Sequence, residues 1–253
     1  MKNKNGFIAT SIMFSFFLVF ILLAMLVLSS YTHYYTLITK LNGSILDNLN
    51  DEVISKKYSG LRNVVTNGKA DNGSSWSMNN SKVESVDNST YIKLENGPGS
   101  SFSQSFNGKL TTGNNRKIYV AFNFQRNYTV TKCENEDFNV ALTIGSTNYN
   151  SSNFTYYTDS FKSLPRKSLA CGDWINWTIF GQIYTVNVNS NTQRITFGTT
   201  NIRYSGINGI GINNIIVVDV TNLYKNGTTD AQMVQYLIKN LPYFDSNYSL
   251  PKI

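Results

Sequence analysis

The chain has 253 residues, 41% hydrophobic and 13% aromatic, enough to bury the core of one large domain or two small ones. Only 15% are charged, and Asn, Ser, Thr and Tyr make up the difference, a composition that suits exported β-rich proteins. The net charge is +7, and from Gly60 onward 17 Lys and Arg face 12 Asp and Glu, scattered singly, which argues against nucleic acid as a partner because its binders cluster their cations.

Lys2 and Lys4 precede an uncharged run from Phe7 to Ser30. As a helix this run would be about 36 Å long, enough to cross a hydrocarbon core of about 30 Å. It exceeds the apolar part of a cleavable secretion signal, and no Ala-x-Ala site follows it. The two lysines place residues 1–6 in the cytoplasm and the rest of a single-pass protein outside. Tyr34, Leu37, Ile38, Leu41, Ile45, Leu49 and Val53 then recur at three- and four-residue steps, an amphipathic stripe. Gly43 weakens it by about 1 kcal/mol relative to alanine. One helix from about Phe7 to Lys57 is expected.

A short basic leader, Gly6, Phe7, an apolar helix and an amphipathic continuation together resemble the N-terminus of type IV prepilins and pseudopilins over residues 1–58. The resemblance implies a prepilin peptidase that cuts after Gly6 and methylates Phe7, leaving residues 1–6 as leader. Major pilins carry a glutamate at the fifth mature position, which here is Ser11. A carboxylate in lipid is tolerated only with a partner, and Ser11 cannot pair with a neighbour's terminal amine. The resemblance therefore implies a minor subunit among other pilin-like subunits, in filament assembly or at the tip of a surface filament. The alternative is a membrane-anchored, carbohydrate-binding adhesin outside any filament.

After Ser59 the pattern changes to period-2 alternation between turn residues. In KIYVAFNF (117–124), Ile118, Val120, Phe122 and Phe124 share one face, and Tyr119, Ala121 and Asn123 share the other. VALTIG (140–145), IYTVNV (183–188) and QRITFG (193–198) read as strands, and INNIIVVDV (212–220) reads as a central strand. Many short strands imply a β-sandwich. Cys133 and Cys171 fit one disulfide if the domain is exported, stabilising it by about 4 kcal/mol in a chain-entropy treatment; the alternative is two free buried thiols.

NVVTNGKADNGSSWS (63–77) resembles the opening of galactose-binding-like carbohydrate-binding jelly rolls, through Asn63, Asn67, Gly68, Asp71, Gly73 and Trp76. GINNIIVVDVT resembles the closing strand, with Asn213 where the family commonly has aspartate. The resemblance spans about residues 60–222. It implies a structural calcium near Asp71 and Asn213, although exchanging aspartate for asparagine removes a charge from a cation that wants six to eight oxygens. The alternative is that Asp71 simply makes a turn. No other cofactor is implied.

DVTNLYKNGTTDAQMVQYLIKNLPYF ends the domain. Asn226-Gly227 reads as a turn, and a short helix follows, capped by Thr228 or Thr229, with Asp230 at its positive end and Pro242 beyond it. Val234, Leu237 and Ile238 would pack it on the sandwich. The expected fold is thus α+β. It comprises a leader (1–6), a long N-terminal hydrophobic helix (7–58), an all-β jelly-roll sandwich (59–222), and a C-terminal turn with a short helix (223–253).

The chemistry of an active site is missing. His33 is the single histidine, and no Gly-x-Ser-x-Gly, His-Glu-x-x-His or P-loop occurs. Glycoside hydrolysis needs two carboxylates across a cleft, and Glu134, Glu136 and Asp137 read as a charged loop. The expectation is a protein that is not an enzyme. Sugars are held by aromatic faces with convergent polar groups. The candidates are Trp76, Trp174, Trp177, Tyr156 and Tyr157, each weighed against a plain core role. Trp174 and Trp177 are three apart, so strand alternation allows at most one to point inward.

Overall fold

The computed structural model describes residues 60–86, 89–95, 99–126, 138–169, 174–199 and 209–246, with Phe17, Val19, Ile21 and Met25. Ile54–Ile253 forms one compact unit and Met1–Val53 another. Twelve strands are present among the described residues: β1 Ser77–Asn79, β2 Ser81–Val86, β3 Ser89–Leu94, β4 Ser101–Ser105, β5 Gly113–Arg126, β6 Phe138–Ile144, β7 Thr147–Asn150, β8 Asn153–Tyr157, β9 Phe161–Pro165, β10 Thr178–Val188, β11 Gln193–Thr199 and β12 Ile210–Asp219. A four-residue turn of helix, α1 (Arg166–Leu169), follows β9, and an eleven-residue helix, α2 (Asp230–Asn240), closes the described chain.

The strands form two antiparallel sheets. One runs β1-β4-β11-β6-β7 and the other β2-β3-β12-β5-β10-β8-β9. The chain changes sheet from β3 to β4, to β5 and to β6, and the late strands β11 and β12 insert between early ones. This is a jelly-roll sandwich.

The expectation of an α+β fold with a long N-terminal hydrophobic helix is corrected. The described residues make a two-sheet β-sandwich with one sizeable helix, and no helix among them is long and apolar enough to cross a membrane. At about 1.5 Å per residue, α2 is only about 17 Å long, and its apolar residues occupy one face. Of the expected helix over 7–58, only Phe17, Val19, Ile21 and Met25 are described, each helical and exposed. Gly6, Phe7, Ser11, His33 and the stripe from Tyr34 to Val53 lie outside the described residues, as do Cys133, Cys171, Glu134, Glu136 and Asp137.

Both faces of β5 are buried near its middle, for different reasons. Ile118, Val120, Phe122 and Phe124 enter the core between the sheets. Phe122 is its centre, with ring centroids of Phe197, Phe154, Phe138 and Phe180 at 5.3, 5.5, 5.8 and 6.1 Å. On the opposite face Tyr119 and Ala121 join Ile183, Ile216 and Val218 beneath Met233, Val234, Leu237 and Ile238 of α2. Gly181 lets the helix approach: a Cβ there would stand 3.0 Å from both Ile238 Cγ1 and Tyr119 Cε2.

Thr229 is the cap of α2. Its hydroxyl accepts from the Gln232 backbone N–H while the Gln232 side chain accepts from the Thr229 N–H, a reciprocal capping box. Asp230, in the first turn, accepts from Lys117 Nζ at 2.9 Å and from the Tyr224 hydroxyl at 2.7 Å.

A bulge in β12 sets which side chains reach the outer face. Asn213 pairs with Asn123, but the next pair is Ile216 with Ala121, so β12 carries one extra residue there. Asn214 takes a left-handed φ of 51°, which asparagine tolerates better than most residues. Asn63 seals the bulge. Fully buried, its Nδ2 donates to Ile215 O and Phe244 O, and its Oδ1 accepts from the Val65 and Val217 N–H groups.

Candidate functional site

Helix α2 covers only part of the outer face of the seven-stranded sheet. Beyond it, alternation carries the same face onward. Phe124, Ile212, Ile92 and Leu94 point into the core, so Asn123, Gln125, Gly211, Asn213, Tyr91 and Lys93 point out. Register aligns them across the strands: Lys82 opposite Lys93, Lys93 opposite Gly211, and Gly211 opposite Gln125. Trp177 directly precedes Thr178, which pairs with Phe124, and so stands beside Gln125.

Trp177 reaches across this face. Its Cη2 would lie 3.1 Å from a Cβ at Gly211, and Tyr91 Cδ2 would lie 3.0 Å from the same point. The two rings meet edge to face with centroids 5.5 Å apart. Gly211 is therefore the floor on which both half-buried rings rest. Gln125 Nε2 donates to Ile175 O at 2.6 Å, tying the segment before Trp177 to β5. Ile179, 45% exposed, and Tyr157, 49% exposed, extend the apolar surface toward the sheet edge.

An ionic cluster flanks the rings. The Tyr91 hydroxyl donates to Glu84 Oε2 at 2.9 Å, and Lys93 Nζ lies 3.3 Å from the same oxygen. Lys82 bridges Glu95 at 2.7 Å. Burial works to raise the Glu84 carboxyl, but the Tyr91 hydroxyl and the two ammonium groups outweigh it and hold it below its ordinary value. Burial and the Glu84 carboxylate push the Tyr91 hydroxyl up to about 12. Tyr91 thus stays a neutral donor at physiological pH, and its ring is fixed from both ends.

The residues singled out from sequence are dispersed. Trp76 is in the core, 7% exposed, edge-on to Phe102 at 5.1 Å, with its Nε1 donating to Asn67 O. Trp174 plugs the end of the core against Tyr156 and Phe180, both at 4.9 Å, and its Nε1 donates to Leu169 O. Tyr156 faces the same way, 5.2 Å from Phe180. Only Trp177 and Tyr157 lie on the outer face. Tyr91, Gln125 and Gly211 are not singled out by the sequence, and Asn123 only as an outward residue of its strand; alternation in STYIKL and AFNFQR separates Tyr91, Asn123 and Gln125 from the core residues of their own strands, whereas Gly211 lies on β12.

Asp71 and Asn213 are held by different partners. Asp71 is exposed, its N–H donating to Asn67 Oδ1, whereas Asn213 Nδ2 donates to Thr90 O on β3. Among the described residues no group of three or more His, Cys, Asp or Glu could hold a metal ion. Calcium takes six to eight oxygens; Asp71 and Asn213 supply one carboxylate and one amide, and they share no hydrogen-bond partner among the described residues.

No family model matches the chain, and no curated protein matches it. Among solved structures it is similar to carbohydrate-binding modules. A family 61 module in complex with β-1,4-galactotriose is 15% identical, with 62% of this chain and 99% of that one covered and a TM-score of 0.36. A family 28 module specific for non-crystalline cellulose is 9% identical, covering 60% and 93%, with a TM-score of 0.37. A module that recognises mannan is 11% identical, covering 62% and 95%, with a TM-score of 0.38.

Proposed function

We propose that the chain binds a glycan, without catalysis, on the open outer face of its seven-stranded sheet. The observation that carries this reading is the Trp177–Tyr91 pair resting on Gly211. A sugar ring offers an apolar C–H face and an edge of hydroxyls. The aromatic pair supplies a preformed apolar surface, and Asn123, Gln125 and the Glu84–Lys93 pair supply polar groups beside it. The face is open, so it suits a surface laid flat upon it. Titrating the full-length chain across a glycan array, with W177A beside it, tests the reading. Wild type should bind a subset of glycans and W177A should lose them by tenfold or more. Equal binding by W177A would sink the proposal.

Lys2, Lys4 and the uncharged run after them support export and display at the cell surface, where such a face would act as an adhesin. A second reading, a minor pilin-like subunit processed by a prepilin peptidase, is favoured by the Gly6-Phe7 junction with Ser11 at the fifth mature position. The mass of the mature N-terminus decides it: an N-methylated Phe7 supports the reading, and a retained Met1 excludes it.

A further inference from the structure

A second feature, away from the aromatic face, joins Gly60–Val64, the segment before β5 and the turn after β12. A cleft of about 340 Å³ opens there. By liquid water's share of volume it would hold about eleven waters, which places it within the size range of small-molecule sites. Its charged lining is unbalanced. Arg62, Lys109 and Arg116 line it with a single acid, Asp219.

That acid is already saturated. Asp219 Oδ2 accepts from both Nε and Nη2 of Arg116, and Oδ1 accepts from the Thr221 N–H at 3.0 Å and its hydroxyl at 2.6 Å. Lys109 Nζ is steered to the rim by Val64 O at 3.2 Å and Thr66 Oγ1 at 3.3 Å, both neutral acceptors that leave its charge uncompensated. Arg62, exposed, also lines the cleft. Leu61, Leu110 and Leu223 form an apolar wall, and the cleft shares Asn222 and Leu223 with a larger cavity of about 800 Å³ beneath the turn before α2.

We infer that this cleft binds a phosphate or sulfate monoester, with the oxyanion between Arg62 and Lys109 and the esterified group against the leucine wall. A guanidinium and an ammonium among the residues of one cleft offer charge-assisted donors, while the cleft's carboxylate, Asp219, is taken up by Arg116 and Thr221. The volume exceeds what a bare oxyanion fills, which favours an ester over the free ion.

The test is isothermal titration of the full-length chain with inorganic phosphate and with a sugar monophosphate, at fixed ionic strength with chloride as the balancing anion. Both should bind saturably, the ester more tightly. R62Q alters an exposed side chain and should weaken binding several-fold with an unchanged melting temperature. R62Q/K109M should weaken it tenfold or more, while W177A should leave it unaltered, so that failure here is separate from failure of the glycan reading. Absence of saturable binding, or equal affinity in R62Q and the double variant, overturns the inference. Competition by phosphatidic acid vesicles but not phosphatidylcholine vesicles would mark a lipid headgroup as the source of the monoester, and its absence a soluble or polymer-borne one.

Discussion

Two glycines with nearly the same steric surroundings should respond to alanine in opposite ways. At Gly181 a Cβ would lie 3.0 Å from Ile238 Cγ1, Tyr119 Cε2 and the Tyr119 hydroxyl, all locked between α2 and the sheet. At Gly211 it would lie 3.0 Å from Tyr91 Cδ2 and 3.1 Å from Trp177 Cη2, on rings half open to solvent. Neither glycine has a positive φ, so alanine gains about 0.4–1 kcal/mol in both by restricting the unfolded chain. In G181A the buried neighbours cannot retreat, and overpacking of about 1–3 kcal/mol dominates. The melting temperature should fall by several degrees, at about 2–4 °C per kcal/mol for a chain of this size. In G211A the rings lift by a few tenths of an ångström, the two terms nearly cancel, and stability should change by less than about 1 kcal/mol. The platform loses its flatness, however, and glycan affinity should fall about five- to tenfold, or about 1–1.4 kcal/mol. Thermal melts and glycan titrations of both variants measure this. A G211A protein that melts as low as G181A, or that binds glycan as well as wild type, would refute the picture of a surface platform on a glycine floor.

Asn63→Ala removes an amide that satisfies two buried carbonyls and two N–H groups across the β12 bulge, and should cost about 3 kcal/mol in urea unfolding; a loss under about 1 kcal/mol would mean that solvent replaces it. Thr229→Ala breaks the capping box and should cost about 1 kcal/mol, while T229S should restore most of it. The Asp230 carboxyl is raised by burial but held below its ordinary value of 3.8 by Lys117 and Tyr224. Because its folded value is the lower one, its stabilisation is complete above 3.8 and is lost as pH falls through the folded value. Urea midpoints between pH 6 and 2.5 should therefore fall less steeply for D230N than for wild type, and parallel curves would contradict this.

Much of the sandwich was legible because strand alternation is a local property. The segments 117–124, 183–188, 193–198 and 212–220 all overlap strands, and Val234, Leu237 and Ile238 mark the buried side of α2. The N-terminal expectation fared differently. Of residues 7–58 only Phe17, Val19, Ile21 and Met25 are described, each helical, and the long helix is not seen among the described residues. The candidate site was legible only in part. Trp76, Trp174 and Trp177 look alike as residue types, yet two of them are spent on the core.

What the sequence alone determined, then, is which side chains share a face: Tyr119, Ala121 and Asn123 on one side of β5, Ile118, Val120, Phe122 and Phe124 on the other. It could not say what each face meets. Ala121 lies beneath α2, whereas Gln125, on the same face, lies beside open rings. Tyr91 and Trp177 meet only because β12 and β5 fill the space between β3 and β10. Alternation follows from the geometry of one strand, but the neighbours of a face follow from strand order, which is set by pairings between distant parts of the chain and by where the helix has room to dock.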